Sequence, residues 1–204
     1  MSTLVSHSVF LTSRSVKAFM RQPIFVVITL IQPMFWLLLF GKLFQSVVDI
    51  PGFSAHGSFL EYLTPGVIAM TALFSAMWAG TVYIEDMNRG VMDRLLASPV
   101  RRGAMMNGTL AYQAITSVVQ TAVVLVVALA AGARFAGGVI GIAVTLVAAI
   151  LLTVICAALS NAIALMSRRQ ESLIGISQFL SLPATFLSSA VMDPRLAPHW
   201  MQVV

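Results

Sequence analysis

Five long apolar stretches constrain the fold of this chain more than any other feature. Each has about 20 residues or more, the length that an α-helix needs to cross a hydrocarbon layer about 30 Å thick. The stretches are 24–44, 62–84, 108–132, 138–166 and 172–192. The first contains Lys42 near its end, and the other four contain no charged residue. Because helices satisfy their own backbone hydrogen bonds in lipid, and because such runs do not fit the alternating strands of a barrel, we predict an all-α polytopic transmembrane bundle.

Composition supports a membrane protein and excludes several other classes. Charged residues make up 9% of the 204 residues, whereas roughly a quarter is usual in a soluble domain. The mean hydropathy is +0.94, which excludes a disordered chain and a water-soluble enzyme. The single cysteine, Cys156, lies in an apolar run, so there is no disulfide framework.

The positions of the basic residues predict the orientation, because cytoplasmic loops carry an excess of Lys and Arg. With the N-terminus inside, Lys42, Arg134 and Arg195 lie outside, and the remaining nine of the twelve basic residues lie inside. The net charge of +5 then belongs to the cytoplasmic face, where anionic membrane lipid attracts it. We therefore expect a multi-pass protein of the plasma membrane and no nucleic-acid partner.

The longest internal segment between spans is predicted to contain an amphipathic helix at about 84–98. Its apolar residues recur at helical spacing. They are Ile84, Met87, Val91, Met92, Leu95 and Leu96. Glu85 and Arg89 are spaced to form a favourable i, i+4 pair, and Pro99 is a plausible end. Two interpretations stay open from the residues alone: an interfacial connection between two spans, or a docking surface for a cytoplasmic partner.

A second amphipathic helix is predicted before the first span, over about residues 5–22. Four apolar residues cluster on one face and three basic residues on the other. They are Val9, Val16, Phe19 and Met20 against Arg14, Lys17 and Arg21. A basic helix in the headgroup region is the natural interpretation.

Chemistry that would make this chain an enzyme is missing from the sequence. No Gly-x4-Gly-Lys-Ser/Thr phosphate loop occurs, so we expect no nucleotide hydrolysis by that route. The three histidines are far apart and lie outside the spans, so no catalytic residue and no metal site is predicted. Proton-driven transport usually needs an Asp, Glu or His at mid-membrane, and the predicted spans have none.

Uncharged polar residues lie within the spans instead. The amides are Gln32, Gln113, Gln120, Asn161 and Gln178. Such groups most often form hydrogen bonds between helices, worth about 1 kcal/mol each. The alternative is that Gln113, Gln120, Asn161 and Gln178 line a translocation path for an amphiphilic molecule.

Three motifs, in this order, resemble those of a known family. Leu63-Thr64-Pro65-Gly66 opens the second span, and Gly90 through Asp93-Arg94-Leu95-Leu96-Ala97-Ser98-Pro99 follows it. Phe186-Leu187-Ser188-Ser189-Ala190 precedes Leu196-Ala197-Pro198-His199-Trp200. This order resembles the type-2 ATP-binding-cassette (ABC) transporter permeases, in particular the daunorubicin-resistance-like drug exporters and their polysaccharide-export relatives.

The resemblance implies a transport subunit that is not itself an enzyme. It pairs with a separate ABC ATPase and with a second permease copy, and ATP and Mg belong to the ATPase rather than to this chain. The helix after the second span is the family's coupling helix. That role falls here on Glu85, Asp86, Arg89, Asp93, Arg94, Leu95, Leu96 and Pro99.

The implied function is export of a hydrophobic drug, antibiotic or lipid-like compound. Export of a polysaccharide or glycolipid is the alternative within the family. The family usually has six spans, whereas five are visible here and the chain ends where a sixth would begin. A truncated membrane assembly protein that transports nothing is therefore a further alternative.

Overall fold

A computed structural model describes residues 2–43, 59–133 and 137–187 of the chain. These residues form helices joined by short turns, and no strand occurs among them. The helices are α1 Ser2–Met20, α2 Pro23–Leu43, α3 Phe59–Met77, α4 Thr81–Asn88, α5 Val91–Ala97, α6 Arg102–Ala130, α7 Gly138–Ser167 and α8 Gln170–Leu187. The predicted all-α polytopic bundle is confirmed.

Four helical stretches in the described part of the chain are long and apolar enough to cross a membrane. They are Pro23–Leu43, Leu63–Asn88, Arg102–Ala130 and Gly138–Ser167. Their ends match those of the first four predicted spans to within four residues, except that α6 begins six residues before the predicted 108 and that residue 44 lies outside the described residues. The fifth predicted span, 172–192, corresponds to α8 as far as Leu187, and residues 188–192 lie outside the described residues. The first turn of α8 carries Gln170 and Glu171, and this helix is not among the four.

The segment predicted as one helix at 84–98 is divided in the structure. It consists of α4 and α5, and Arg89 and Gly90 lie between them. Gly90 adopts the left-handed conformation with φ +66°, which a residue without Cβ accepts at little cost. Upstream, a turn at residues 78–80 separates α3 from α4, so the second apolar run is also two helices. We call residues 81–97 the α4–α5 segment.

Helix α1 packs along α6 rather than lying apart from the bundle. The Thr12 hydroxyl donates a hydrogen bond of 3.2 Å to the Gly108 carbonyl. A Cβ atom at position 108 would lie 2.9 Å from the Leu11 Cβ, so the glycine permits the close approach. Leu11 and Thr12 are accordingly buried.

The faces of α1 differ from those predicted. Arg14, expected on the basic face, pairs with Asp86 of α4. Phe19 packs edge-on against Tyr112 of α6, with ring centroids 6.1 Å apart. Val9, placed with Phe19 on the predicted apolar face, is exposed. The reason is that α6 offers α1 a mixed surface, on which hydroxyl groups and a glycine matter more than apolar periodicity.

Of the three apolar clusters in the described core, two lie toward opposite ends of the bundle. One joins α2, α3, α6 and α7, and it includes Leu37, Val67, Ile68, Val124, Leu125, Ala128 and Ala149. The other anchors the α4–α5 segment on α7 and α8, and it consists of Tyr83, Ile84, Met92, Ala164 and Leu173. The second cluster is what holds the candidate coupling residues in place.

Candidate coupling site and polar interior

The α4–α5 segment is amphipathic in the structure, as its sequence predicts. Ile84 and Met92 are buried against Leu173 of α8. The opposite side is exposed over most of its length. The exposed residues include Glu85, Arg89, Asp93, Arg94 and Leu96, while Leu95 is half-buried and Pro99, just after the segment, is exposed. The segment is therefore held by its buried face, and its exposed face carries charges and one large apolar side chain.

The exposed charges of this segment have few partners. Arg89 pairs with Glu85 one turn before it, and both side chains are more than half exposed. Such a pair contributes little to stability, about 0.3–0.5 kcal/mol in an exposed helix. Among residues 2–43, 59–133 and 137–187, Asp93 and Arg94 take part in no salt bridge. These groups are available to a partner at little cost.

Asp86 is different from the other predicted coupling charges. It forms an ion pair with Arg14 of α1, and its side chain is 19% exposed. The two residues line a small crevice with Tyr83 and Leu95. Asp86 therefore joins α1 to α4 within the chain, whereas Glu85, Arg89, Asp93 and Arg94 face outward.

A hydrogen-bond link connects α4 to the two long spans. The Tyr83 hydroxyl lies 3.1 Å from the Thr109 hydroxyl of α6. The Asn161 amide of α7 donates to the same Thr109 oxygen at 3.2 Å. One polar residue from each of three helices thus meets near the start of α4.

The turn between α3 and α4 is bound by two serines from other helices. The hydroxyls of Ser160 in α7 and Ser177 in α8 both donate to the Met77 carbonyl, at 2.6 and 3.0 Å. The Gly80 amide donates to the Ser160 hydroxyl at 3.0 Å. We call these four residues the hydroxyl joint. Both serines are buried, with 0% and 3% exposure.

The predicted translocation-path amides take different positions. Gln113 and Gln120 are buried on one face of α6, and Asn161 is fully buried on α7. Gln178 is half-buried on α8, and Gln32 is exposed on α2. The structure thus brings the first two together on one helix face, and it places Asn161 beside Thr109 instead.

Gln120 lines a narrow cleft between α3 and α6. Its lining includes the polar residues Thr71, Ser117, Gln120 and Thr121 and the apolar residues Ile68, Ala72 and Val124. It leaves no room for a water molecule in this conformation. The Gln120 side-chain oxygen is buried and accepts no hydrogen bond from the described residues. An unpaired acceptor in such surroundings is costly, so a donor that entered the cleft would be bound favourably.

Sequence reasoning missed the hydroxyl joint and the role of Arg14. Ser160 and Gly80 are small residues within long apolar runs, where neither residue type is unusual. Their contact spans 80 residues of sequence, so no local pattern reports it. A glycine near the end of a span, next to a charged segment, was the one available signal of a break.

Comparisons with known proteins agree with this architecture. Residues 8–204 match the family model of the ABC-2 type transporter. The daunorubicin resistance ABC transporter permease protein DrrB1 of Streptomyces coeruleorubidus is 25% identical over 203 residues, which cover 100% of this chain and 70% of that protein.

Two further relatives carry the name putative transport permease ycf38. The one from Cyanophora paradoxa is 25% identical over 90% of this chain, and the chain spans 63% of its length. The one from Pyropia yezoensis is 26% identical over 98% of this chain, and the chain spans 70% of its length. No solved structure matches the chain significantly.

The family match covers nearly the whole chain, and the described residues supply the apolar helices that such a subunit needs. Members of this family are transport subunits rather than catalysts, and the family generally works with an ABC ATPase. The predicted resemblance is confirmed. This protein belongs to the ABC-2 type transporter family and is a membrane subunit of an ABC transporter.

Proposed function

We propose that this chain is the permease of an ATP-driven exporter that moves a hydrophobic drug-like or lipid-like compound out across the plasma membrane. A separate ATPase binds and hydrolyses ATP, and it docks on the α4–α5 segment from the cytoplasm. Two permease copies enclose the path. The N-terminus lies inside, as the distribution of basic residues indicates.

The single observation that supports the docking site best is the contrast between the buried and the exposed face of the α4–α5 segment. Its buried side is anchored by Ile84 and Met92 on α7 and α8. Its outer side offers Asp93 and Arg94, which have no ion-pair partner in the described chain, beside Leu96, which is 50% exposed. Unpaired charges around an exposed apolar residue are suited to a specific polar partner, because complementary charges fix register and speed association.

The proposal of an amphiphilic substrate has two supports. One relative carries the name of a daunorubicin resistance permease, at 25% identity. Within this chain, the lining of the cleft beside Gln120 combines apolar side chains with hydroxyl and amide groups. A molecule with an apolar body and a few hydrogen-bond donors fits such a lining once the helices separate.

The first test measures docking. Arg89→Glu combined with Arg94→Glu should lower the amount of cognate ATPase that co-purifies with the permease by about tenfold, because each reversal turns an attraction into a repulsion. Membrane insertion should be unchanged, since both side chains are exposed. Arg168→Glu combined with Arg169→Glu makes the same charge change at two exposed residues outside the segment and is the matched control. Equal ATPase recovery from both variants would refute docking on this segment.

The second test measures transport. Inside-out vesicles that contain the permease and its ATPase should accumulate daunorubicin when ATP is added, and Gln120→Leu should weaken that accumulation. Gln32→Leu is the control, because Gln32 is an exposed amide of α2 and lies away from the cleft. ATP-dependent uptake of a glycolipid instead of daunorubicin would replace the drug proposal with the alternative in the family.

A further inference from the structure

The second apolar run is interrupted at a place where its backbone would normally continue as a helix. The Ala79 amide donates to Ala76 and the Thr81 amide donates to Trp78, so both bonds span three residues instead of four. The Met77 carbonyl therefore lacks the partner that the Thr81 amide would provide in an α-helix. A carbonyl of this kind within a membrane protein must find another donor.

Two other helices supply that donor. The Ser160 hydroxyl lies 2.6 Å from the Met77 oxygen, and the Ser177 hydroxyl lies 3.0 Å from it. The partners are 83 and 100 residues away in sequence. The break in one span is thereby bonded to both α7 and α8.

The Gly80 backbone completes the joint. Its amide donates to the Ser160 hydroxyl, so this hydroxyl both donates to and accepts from the turn. A Cβ atom at position 80 would lie 2.5 Å from the Ser160 carbonyl oxygen and 2.7 Å from the Ala164 Cβ. Backbone thus meets backbone at a distance that only glycine permits.

We propose that the hydroxyl joint makes α4 move together with α7 and α8, and that Ser160 and Ser177 are positioning residues for coupling. The inference rests on the proposed function, because it assumes that an ATPase displaces the α4–α5 segment. Directional hydrogen bonds hold one relative position, whereas apolar contacts alone would let the short α4 tilt against its neighbours. Motion of the segment then reaches two other helices through a single turn.

The experiment is a distance measurement between spin labels at Asn88 on α4 and Val147 on α7, both of which are exposed. Cys156, the single cysteine, is first replaced by alanine. The complex with the ATPase is measured in lipid nanodiscs, without nucleotide and with bound ATP. In the wild type we expect the same narrow distance to dominate in both states, with only a small displaced population. Ser160→Ala combined with Ser177→Ala should raise a second, displaced population roughly eightfold.

Thr153→Val is the matched control. Thr153 lies two turns before Ser160 on α7, and its buried hydroxyl donates to Ser117 of α6 at 2.9 Å. It should lower thermal stability about as much as one serine substitution, yet leave the label distances unchanged. If the serines had a purely structural role, their substitution would lower thermal stability and leave the label distances unchanged. The proposal is overturned if the serine variant keeps the wild-type distances in both states, or if Thr153→Val displaces α4 equally.

Two outcomes call for a second measurement: a double variant that does not accumulate, and a wild type that does not bind the ATPase. If the double variant fails to accumulate, Ser177→Ala alone leaves both Ser160 bonds in place and should give a smaller second population, whose absence counts against the joint. If the wild type binds no ATPase, the proposed function fails. The permease alone then still shows whether the serines hold α4 on α7.

Discussion

Both ends of the bundle contain an apolar cluster, but they differ in the polar contacts that accompany it. At the α4–α5 end, the described contacts include an ion pair between Arg14 and Asp86 and the serine bonds to Met77. Toward α2, the corresponding contacts are mainly apolar, with Leu37 fully buried among residues of α3, α6 and α7. In the most apolar part of α2, 17% of the residues are buried, compared with 50% in the most apolar part of Leu63–Asn88.

This difference suggests how the two ends behave when the protein works. Hydrogen bonds and ion pairs are directional and favour one arrangement, particularly where water is scarce. Apolar side chains that pack in lipid have little preference between protein and acyl chain, so helices held this way can slide or separate. We therefore expect the α4–α5 end to transmit motion as a unit and the α2 side to rearrange.

The largest effect is expected for Gly80→Ala, which disturbs the hydrogen-bonded contacts at the α4–α5 end. The new methyl group would meet a backbone carbonyl that cannot rotate away, so unfolding should become easier by about 2–3 kcal/mol. Thermal unfolding in mild detergent measures this. Gly103→Ala is the control, because Gly103 is helical and nothing lies within 4 Å of its added Cβ. Equal melting temperatures for the two variants would contradict the close approach at the joint.

An intermediate effect is expected for Leu37→Ala, which removes packing from the apolar cluster that joins α2 to α3, α6 and α7. Loss of packing around a fully buried side chain should cost about 2 kcal/mol, at the low end of the range in soluble cores because lipid solvates the unfolded side chain well. Leu39→Ala, at an exposed position of the same helix, should cost much less. The distance between labels at Asn88 and Val147 should stay as in the wild type. A displaced α4 in the Leu37 variant would contradict the claim that the two ends behave differently.

The smallest effect is expected for the ion pair between Arg14 and Asp86. Arg14→Asp or Asp86→Arg alone should lower stability by about 1 kcal/mol or less, since the arginine side chain is 37% exposed and partly screened. The exchange of both residues should restore most of the loss, which a double-mutant cycle of thermal unfolding detects. No recovery in the exchanged variant would show that the two charges are not coupled.

Much of this architecture follows from the sequence, because membrane helices are fixed by local composition. The apolar runs 108–132 and 138–166 predicted α6 and α7 to within a few residues at most of their ends. The break before Thr81 was not predicted, since the residues around it are as apolar as a continuous span. The amphipathic pattern at 84–98 identified the surface, but it did not reveal that Gly90 divides it.

The polar contacts within the site were beyond sequence reasoning for a physical reason. Asp86 and Glu85 look alike in sequence, and only the position of α1 gives Asp86 a partner. Arg14 lies 72 residues away from it. Helical periodicity describes which face a residue occupies, but not which helix covers that face.

The most direct test of the account is a photocrosslink from the α4–α5 segment to the ATPase. A benzophenone amino acid is placed at Leu96, which is 50% exposed on the segment, and in a second sample at Ile155, which is 67% exposed on α7. We predict that irradiation of the complex links the ATPase to the permease labelled at position 96 and not to the one labelled at position 155. Equal crosslinking from both positions, or none from position 96 in an assembled complex, would contradict docking on this segment.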